Sequence, residues 1–335
     1  MALDSQLQPI LDRFAAFGAP PVESLTPLAA RNSPTLKNAV QELAAEHTMQ
    51  RAAQLFKPMP EPVGRISHVL IPGPAEELLA RVYYPSGKGD TDGALPVLVY
   101  FHGGGFVIAN LDVYEPSCRA LANAAGCIVV SVAYRQGPEA PFPAAHDDAY
   151  VATQWVLAHA RELGGDPARV AVGGESAGGN LATHVCIRAK AVGDPLPVYQ
   201  LLIYPVVQWD ADPNRFPSLR ENAESRPLNA RMLPWFAKHY LSSPADARDP
   251  RAAPLYAPSH AGLPPALILT AELDVLRDEG EAYARALEAA GVRTKCVRYD
   301  GMVHEFFGLA GAVDGAKAAL QEAATGLQGA FGTAE

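Results

Sequence analysis

The sequence of 335 residues predicts an α/β fold with a mostly parallel, eight-stranded central sheet flanked by helices. Two observations lead to this prediction. Short, nearly continuous apolar runs recur through the chain, and such runs are typical of strands buried on both faces. Segments with helical periodicity separate these runs, and strands that alternate with helices form a parallel sheet through right-handed crossovers.

The elements follow in chain order. Residues 1–50 are predicted to be helical, because apolar residues recur every three or four positions around Leu7–Phe17 and Leu36–Ala44. Apolar runs, most of them rich in β-branched or aromatic residues, predict strands at residues 66–71, 79–84, 97–101, 127–132, 170–172, 201–204, 266–270 and 296–299. Further helices are predicted at residues 116–125, 146–161, 179–191, 280–291 and 313–331.

One stretch, residues 205–258, breaks the alternation of strand and helix. It has no clear strand, and the two strands that flank it would otherwise need only a short crossover. We interpret it as a helical insertion over one edge of the sheet. The chain is therefore expected to contain a helical part at residues 1–50, an α/β domain at residues 51–204 and 259–335, and an inserted helical part at residues 205–258.

Charge and composition exclude several classes of protein. A net charge of −9 argues against nucleic-acid binding, which needs a basic face. The four cysteines lie far apart, so neither a disulfide framework nor a metal site of the C-x-x-C type is predicted. The first residues lack the regions of a signal peptide, and the apolar runs are too short to span a membrane. We therefore expect a cytoplasmic protein without membrane contact.

The strongest motif is Gly174-Glu175-Ser176-Ala177-Gly178. It follows a predicted strand and opens a predicted helix, which is the setting of a nucleophile elbow. Such a turn is strained, and small residues on either side of the serine avoid collisions with neighbouring backbone. The pattern predicts that Ser176 presents its hydroxyl at the carboxyl edge of the sheet, beside the positive end of a helix dipole.

A second motif, His102-Gly103-Gly104-Gly105-Phe106, directly follows the predicted strand at residues 97–101. Consecutive glycines leave backbone N–H groups unobstructed, and such groups can donate to a developing oxyanion. Together with the N–H of Ala177 they predict an oxyanion hole, while His102 is expected to brace the loop. The fingerprints of phosphate-binding and dinucleotide-binding loops do not occur.

A serine nucleophile needs a histidine base and a carboxylate that orients the histidine. Of the nine histidines, His304 is the candidate base, because it lies in a loop after the last predicted strand. Asp274 is the preferred acid because it follows the strand at residues 266–270. Glu272, Asp278 and Asp300 are its rivals. The resulting order of serine, aspartate and histidine along the chain is that expected of an α/β-hydrolase.

These motifs resemble the hormone-sensitive-lipase-like carboxylesterases, bacterial family IV of the α/β-hydrolase superfamily. Besides the two glycine-rich motifs, the matching pieces are Tyr134-Arg135, Pro141-Phe142-Pro143-Ala144-Ala145, Asp274-Val275-Leu276-Arg277-Asp278-Glu279-Gly280 and Gly301-Met302-Val303-His304-Glu305-Phe306. The chain departs from the family at Glu175, where Asp is usual, and at Val275, where Pro is usual. The resemblance implies the α/β-hydrolase fold with a two-part helical cap formed by residues 1–50 and 205–258.

The resemblance also implies an activity, the hydrolysis of short- to medium-chain acyl esters through an acyl-enzyme intermediate. Ser176 is then the nucleophile, His304 the base and Asp274 the orienting acid, and no metal or organic cofactor is required. The expected oxyanion-hole donors are the N–H groups of Gly104, Gly105 and Ala177, with Gly103 shaping the loop.

Large apolar side chains near the motifs and in the insertion are candidates for the substrate pocket. They are Phe106, Tyr204, Trp209, Phe216, Leu228 and Met232. The expected partners are a small-molecule ester and water, and the resemblance suggests a homodimer through the edge strand at residues 296–299 and the last helices. The alternatives are an amidase or lactone hydrolase with the same triad, and a non-catalytic small-molecule receptor, a type that usually lacks the triad histidine.

Overall fold

The structure is a computed structural model, and it describes residues 2–50, 61–87, 93–210 and 212–333. The strands of this part are β1 (Arg65–Pro72), β2 (Glu77–Tyr84), β3 (Leu95–Phe101), β4 (Ile128–Val132), β5 (Gly165–Glu175), β6 (Gln200–Ile203), β7 (Ala266–Leu273) and β8 (Thr294–Val303). They form an eight-stranded sheet in the order β1-β2-β4-β3-β5-β6-β7-β8. β2 pairs antiparallel with β1 and β4, and the remaining neighbours are parallel. The predicted α/β fold with a mostly parallel, eight-stranded sheet is confirmed.

Helices cover both faces of the sheet. They are α1 (Leu7–Ala16), α2 (Pro27–Arg31), α3 (Leu36–Gln50), α4 (Glu115–Ala125), α5 (Ala144–His159), α6 (Ala177–Val192), α7 (Ser218–Glu221), α8 (Met232–Tyr240), α9 (Arg277–Ala289) and α10 (Asp314–Phe331). Each predicted strand overlaps an observed strand, and each helix predicted after residue 100 overlaps an observed helix. Most boundaries agree closely because Gly, Pro and polar turns separate the apolar runs, but β5 and β8 extend well beyond the strands predicted at residues 170–172 and 296–299.

Strand β3 shows why the sheet needs helices on both sides. Val97, Val99 and Phe101 point into one apolar core, and Leu98 and Tyr100 point into the other. All five side chains are fully buried. Successive side chains of a strand face opposite sides of a sheet, so a run that is apolar at every position is stable only between two helical layers.

The insertion between β6 and β7 contributes the short helices α7 and α8, and its described residues contain no strand. It contacts the N-terminal segment, where the indole N–H of Trp235 donates to the carbonyl of Leu25 at 3.0 Å. The division of the chain into a two-part cap and an α/β domain stays a prediction. Its boundary at residue 51 lies outside the described residues, as do residues 1, 51–60, 88–92, 211 and 334–335.

No helix in the described ranges has the length and apolar character that crossing a bilayer would require.

Candidate active site

Three parallel strands end directly before the three candidate catalytic residues. β5, β7 and β8 end at residues 175, 273 and 303, and the next residues are Ser176, Asp274 and His304. The carboxyl ends of neighbouring parallel strands lie at one edge of the sheet, where α/β proteins place their ligands. The topology therefore gathers the three residues at this edge, although they are far apart in sequence.

Ser176 occupies a sharp turn between β5 and α6. Its backbone has a positive φ of 56° with ψ −116°, and the residue is 5% exposed. A Cβ on Gly178 would lie 1.8 Å from the carbonyl oxygen of Phe101, and one on Gly174 would lie 2.4 Å from the same oxygen. The motif therefore needs both glycines, because β3 packs directly against this turn. This is the nucleophile-elbow geometry that the sequence predicts.

The imidazole of His304 is hydrogen-bonded through Nδ1 to Oδ2 of Asp274 at 2.6 Å. Both residues are buried, with Asp274 fully inaccessible. The other carboxylate oxygen of Asp274 accepts the backbone N–H of Leu276 at 3.0 Å, which fixes the orientation of the carboxylate. With Nδ1 engaged in this way, Nε2 is the nitrogen left to exchange a proton with a nucleophile.

None of the rival acids contacts His304 in the described hydrogen bonds and ion pairs. Glu272 accepts the backbone N–H of Gly301 at 2.7 Å. Asp278 accepts the backbone N–H of Ser218 at 2.7 Å and pairs with Arg277. Asp300 is exposed. Of the four acids considered, Asp274 is thus the one that the structure places on His304.

The pKa of His304 reflects two opposing influences. Burial lowers it, but the nearby charge of Asp274 and the hydrogen bond to it outweigh the burial. The pKa of His304 therefore lies above its ordinary value. Such a shift means that the site stabilises the imidazolium, the form that His304 adopts after taking a proton. The ring of Tyr204 packs against the imidazole, with 4.6 Å between the ring centroids.

The glycine loop after β3 approaches the same edge of the sheet. Gly104 and Gly105 have φ of 102° and 58°, so both use backbone conformations that favour glycine. The carbonyl of Gly104 accepts the N–H groups of Val107 and Ile108 at 3.0 and 2.9 Å, which closes the loop into a turn. Ala177 opens α6, and the first N–H groups of a helix have no acceptor within it.

His102 holds the base of this loop. Its Nδ1 bonds the carbonyl of Gly103 at 2.7 Å, and its ring stacks on Tyr134 with centroids 4.4 Å apart. The hydroxyl of Tyr134 donates to the carbonyl of His102 at 2.8 Å. Burial lowers the pKa of His102 to about 4, so the ring is neutral near pH 7. These contacts fit the bracing role predicted for this histidine.

A cavity of about 650 Å³ lies over these groups, and its wall includes Ser176, His304, Gly104 and Gly105. Apolar side chains from the N-terminal segment and the insertion form much of the remaining wall, among them Phe14, Val22, Ala30, Leu219, Leu228 and Met232. The candidate nucleophile, the candidate base and two glycines of the loop therefore line one partly apolar chamber. Acyl transfer is the chemistry that such an arrangement can perform.

Comparison with known proteins agrees with this geometry. The family described as alpha/beta hydrolase fold matches residues 98–308, which is more than half of the chain. Esterase LipI of Mycobacterium tuberculosis is 41% identical over 285 residues, covering 84% of this chain and 88% of that protein. The chain belongs to the hormone-sensitive-lipase-like carboxylesterases of the α/β-hydrolase superfamily. It is a serine carboxylic ester hydrolase.

Other relatives of this esterase extend the comparison. Ethyl acetate hydrolase of Pseudomonas putida is 39% identical over 252 residues, covering 75% of this chain and 78% of that protein. The solved structure of a hyperthermophilic esterase from Pyrobaculum calidifontis has a TM-score of 0.86 and 37% identity, and each chain is covered completely. The likeness therefore includes the N-terminal helices and the insertion.

The esterase brings only some of the expected pocket residues to the cavity. Trp209, Leu228 and Met232 line it. Phe106, Tyr204 and Phe216 are not among its lining residues, and each is at most 2% exposed.

Each of these three side chains packs elsewhere. The ring of Phe106 stacks on Tyr240 with centroids 4.3 Å apart. The hydroxyl of Tyr204 donates to the carboxylate of Glu175, beneath the elbow. Phe216 is part of the apolar core. Side chains that the sequence places near the motifs are thus turned inward by packing.

Glu279 lines the cavity although the sequence analysis did not select it. Its carboxylate accepts the N–H of Val207 at 2.9 Å and the side-chain amide of Gln208 at 2.6 Å, and burial raises its pKa to about 8. It anchors the first residues of the insertion beside the cavity. The acidic residues that follow Asp274 in the matched motif are the signal that could have identified it.

Proposed function

We propose that the esterase hydrolyses short- to medium-chain acyl esters with Ser176 as nucleophile, His304 as general base and Asp274 as the acid that orients the histidine. The observation that carries the proposal is the 2.6 Å hydrogen bond between Nδ1 of His304 and Oδ2 of Asp274, beside a cavity that His304 shares with Ser176. The reaction consumes an ester and water and releases an acid and an alcohol.

The mechanism proceeds in two halves. Oγ of Ser176 attacks the ester carbonyl while Nε2 of His304 takes its proton, and Asp274 stabilises the resulting imidazolium. The imidazolium then gives this proton to the departing alcohol, which leaves an acyl-enzyme. Water attacks the acyl-enzyme with His304 again as base, and the acid departs from Ser176.

The oxyanion of each tetrahedral intermediate needs preorganised donors. We assign this role to the N–H groups of Gly104, Gly105 and Ala177, with Gly103 shaping the loop. A Cβ on Gly103 would lie 2.3 Å from the hydroxyl of Tyr114, so this position has no room for a side chain. Preorganised donors are typically the largest source of rate enhancement in acyl transfer, because they need no reorganisation as charge develops.

The walls of the cavity support the proposed preference for short and medium acyl chains. Phe14 and Val22 from residues 1–50 and Leu228 and Met232 from residues 205–258 line the same space. These two parts of the chain act together as a cap that limits the length of a bound acyl chain. The Pseudomonas putida relative is named an ethyl acetate hydrolase, which supports a small ester as the substrate.

We further propose a homodimer through β8 and α10. β8 is the last strand of the sheet order, and among the described residues no strand pairs with its outer edge, although the N–H of Asp4 contacts the carbonyl of Gly301 there. Sedimentation equilibrium tests this, and a mass of one chain at micromolar concentration would contradict it.

Hydrolysis of p-nitrophenyl esters from acetate to palmitate tests the proposed function. We expect turnover to be fastest at short or middle chain lengths and to fall at least about 10⁴-fold in Ser176→Ala. Ser242→Ala, at an exposed serine in the insertion, is the matched control and should retain full activity. Turnover that survives Ser176→Ala would overturn the triad, and a maximum at palmitate would overturn the chain-length preference.

A further inference from the structure

Arg31, the last residue of α2, connects the N-terminal segment to the loops beside the active site. Its Nε donates to the carbonyl of Val107 at 2.8 Å, and its Nη2 donates to the carbonyl of Gly137 at 2.7 Å. Both terminal nitrogens also pair with the carboxylate of Glu139, at 2.8 and 2.6 Å. One guanidinium thus holds three groups from two different loops.

The carbonyl of Val107 belongs to the turn that follows the glycine loop. The N–H of this same residue donates to the carbonyl of Gly104, so the contact from Arg31 lies one hydrogen bond away from a proposed oxyanion donor. The second loop is joined to the first, because the N–H of Gly137 donates to the carbonyl of Phe106 at 2.9 Å. Arg31 therefore fixes the outer side of the turn that positions Gly104 and Gly105.

We propose that Arg31 is a positioning residue for catalysis, which holds the glycine loop in the conformation that stabilises the oxyanion. This inference rests on the proposed function of that loop. It gives the N-terminal helices a role in the chemical step, beyond lining the substrate cavity.

The chemistry of arginine suits this task better than that of lysine. The planar guanidinium presents donors in fixed directions, so it can bond two backbone carbonyls and a carboxylate at once. The side chain is about 25% exposed, and Glu139 is about 64% exposed. The guanidinium lowers the pKa of Glu139 to about 2, so the carboxylate stays charged through the neutral pH range.

The segment that carries Arg31 is itself held in place. Thr26 caps α2 by accepting the N–H of Ala29 at 3.3 Å. The preceding residue, Leu25, accepts the indole N–H of Trp235 from α8. The N-terminal segment and the insertion together therefore fix the position of α2, and Arg31 links α2 to the glycine loop.

Four variants test the proposal: Arg31→Ala, Arg31→Lys, Glu139→Gln and, as the control, Arg13→Ala. Arg13 lies on the same N-terminal segment but pairs with Glu42 and Glu46. Each is assayed for kcat and KM on p-nitrophenyl butyrate and for the inhibition constant of a trifluoromethyl ketone. Attack of Ser176 converts this ketone into a tetrahedral oxyanion adduct.

We expect Arg31→Ala to lower kcat roughly 10- to 100-fold, since complete loss of one oxyanion donor costs about 10²–10³-fold. KM should stay within about threefold, and the inhibition constant of the ketone should rise by the same factor as kcat falls. Arg31→Lys should lower kcat nearly as much as Arg31→Ala does. Lysine keeps the positive charge but lacks the planar set of donors that bonds two carbonyls and a carboxylate at once. Glu139→Gln should lower kcat less, because the two contacts from Arg31 to backbone carbonyls remain. Arg13→Ala should have the kcat and ketone affinity of the wild type.

The outcomes separate this inference from the proposed function. A wild-type enzyme that the ketone does not inhibit, or activity that survives Ser176→Ala, would refute the nucleophile itself. If both tests succeed but Arg31→Ala has wild-type kcat and ketone affinity, Arg31 has no positioning role. A rise in KM with kcat unchanged would mean that Arg31 only contacts substrate. If Arg31→Ala does not fold, the same comparison between Arg31→Lys and wild type decides.

Discussion

Replacing Asp274 by Asn changes one atom of the site and reverses its hydrogen-bond pattern. The carboxylate accepts the N–H of Leu276 through one oxygen and the Nδ1–H of His304 through the other. In the variant, the amide oxygen is expected to stay on Leu276, because a backbone N–H can only donate. The amide NH₂ then faces Nδ1, which moves the imidazole proton to Nε2. In that tautomer His304 cannot take a proton from Ser176.

The magnitude follows from the two orientations of the amide. Turning it to restore the productive tautomer leaves the buried N–H of Leu276 facing an NH₂ group, which costs about 1–3 kcal/mol. The variant also loses the carboxylate that stabilises the imidazolium. Together these losses should lower kcat about 10⁴-fold, or about 5.5 kcal/mol in barrier height.

The assay is kcat/KM on p-nitrophenyl butyrate, with circular dichroism to confirm folding. Asp278→Asn is the matched control, because Asp278 receives the same atomic change but bonds Ser218 and Arg277. We expect the control to remain within a few-fold of wild type. An Asp274→Asn enzyme that keeps a tenth or more of the wild-type kcat would refute the assigned role of this carboxylate.

Three further predictions concern packing, pH and specificity. Gly178→Ala should abolish activity or folding, because its Cβ would lie 1.8 Å from the carbonyl oxygen of Phe101. Gly329→Ala is the matched control, because Gly329 lies in α10 and a Cβ there would have no neighbour beyond its own helix within 4 Å in the described part of the chain. It should leave activity unchanged and raise Tm. Since the pKa of His304 is raised and the neutral base is the active form, kcat/KM should fall as pH decreases through a midpoint above about 6.5. A midpoint below the ordinary histidine value would contradict this. Met232→Trp should shorten the longest p-nitrophenyl ester accepted, because Met232 lines the cavity, and an unchanged chain-length profile would show that the acyl chain lies elsewhere.

The sheet and the arrangement of Asp274 and His304 were predictable because local patterns carry the necessary information. An apolar run flanked by turn residues specifies a strand, and a polar residue directly after a parallel strand lies at the edge where the others converge. Asp274 and His304 are separated by 30 residues, yet both follow neighbouring strands. Glu272 and Asp274 both follow the strand predicted at residues 266–270, so the hydrogen bond from His304 to Asp274 in the structure is what separates them.

The direction of large side chains was not predictable in this way. Phe106 directly follows the glycines, but its left-handed backbone, at φ 63°, turns the ring onto Tyr240 and away from the cavity. Tyr204 also has a positive φ, and its hydroxyl finds a buried partner in Glu175. Sequence proximity to a catalytic motif therefore says little about which face a side chain presents.

Contacts of the N-terminal segment were beyond sequence analysis for a different reason. Arg31 reaches partners 76 and 106 residues away, and no spacing rule connects these positions. Its local sequence indicates only a short helix. The position of α2 depends on tertiary contacts, among them the hydrogen bond from Trp235 of the insertion to Leu25.

Covalent labelling of the nucleophile tests the central claim most directly. A p-nitrophenyl phosphonate should release one equivalent of nitrophenol per chain as activity is lost, and mass spectrometry of the tryptic peptide of residues 170–188 should place the adduct on Ser176. We expect label and lost activity to rise together in a ratio of one to one. Full inactivation with the label on another residue, or labelling of Ser176 without loss of ester hydrolysis, would contradict it.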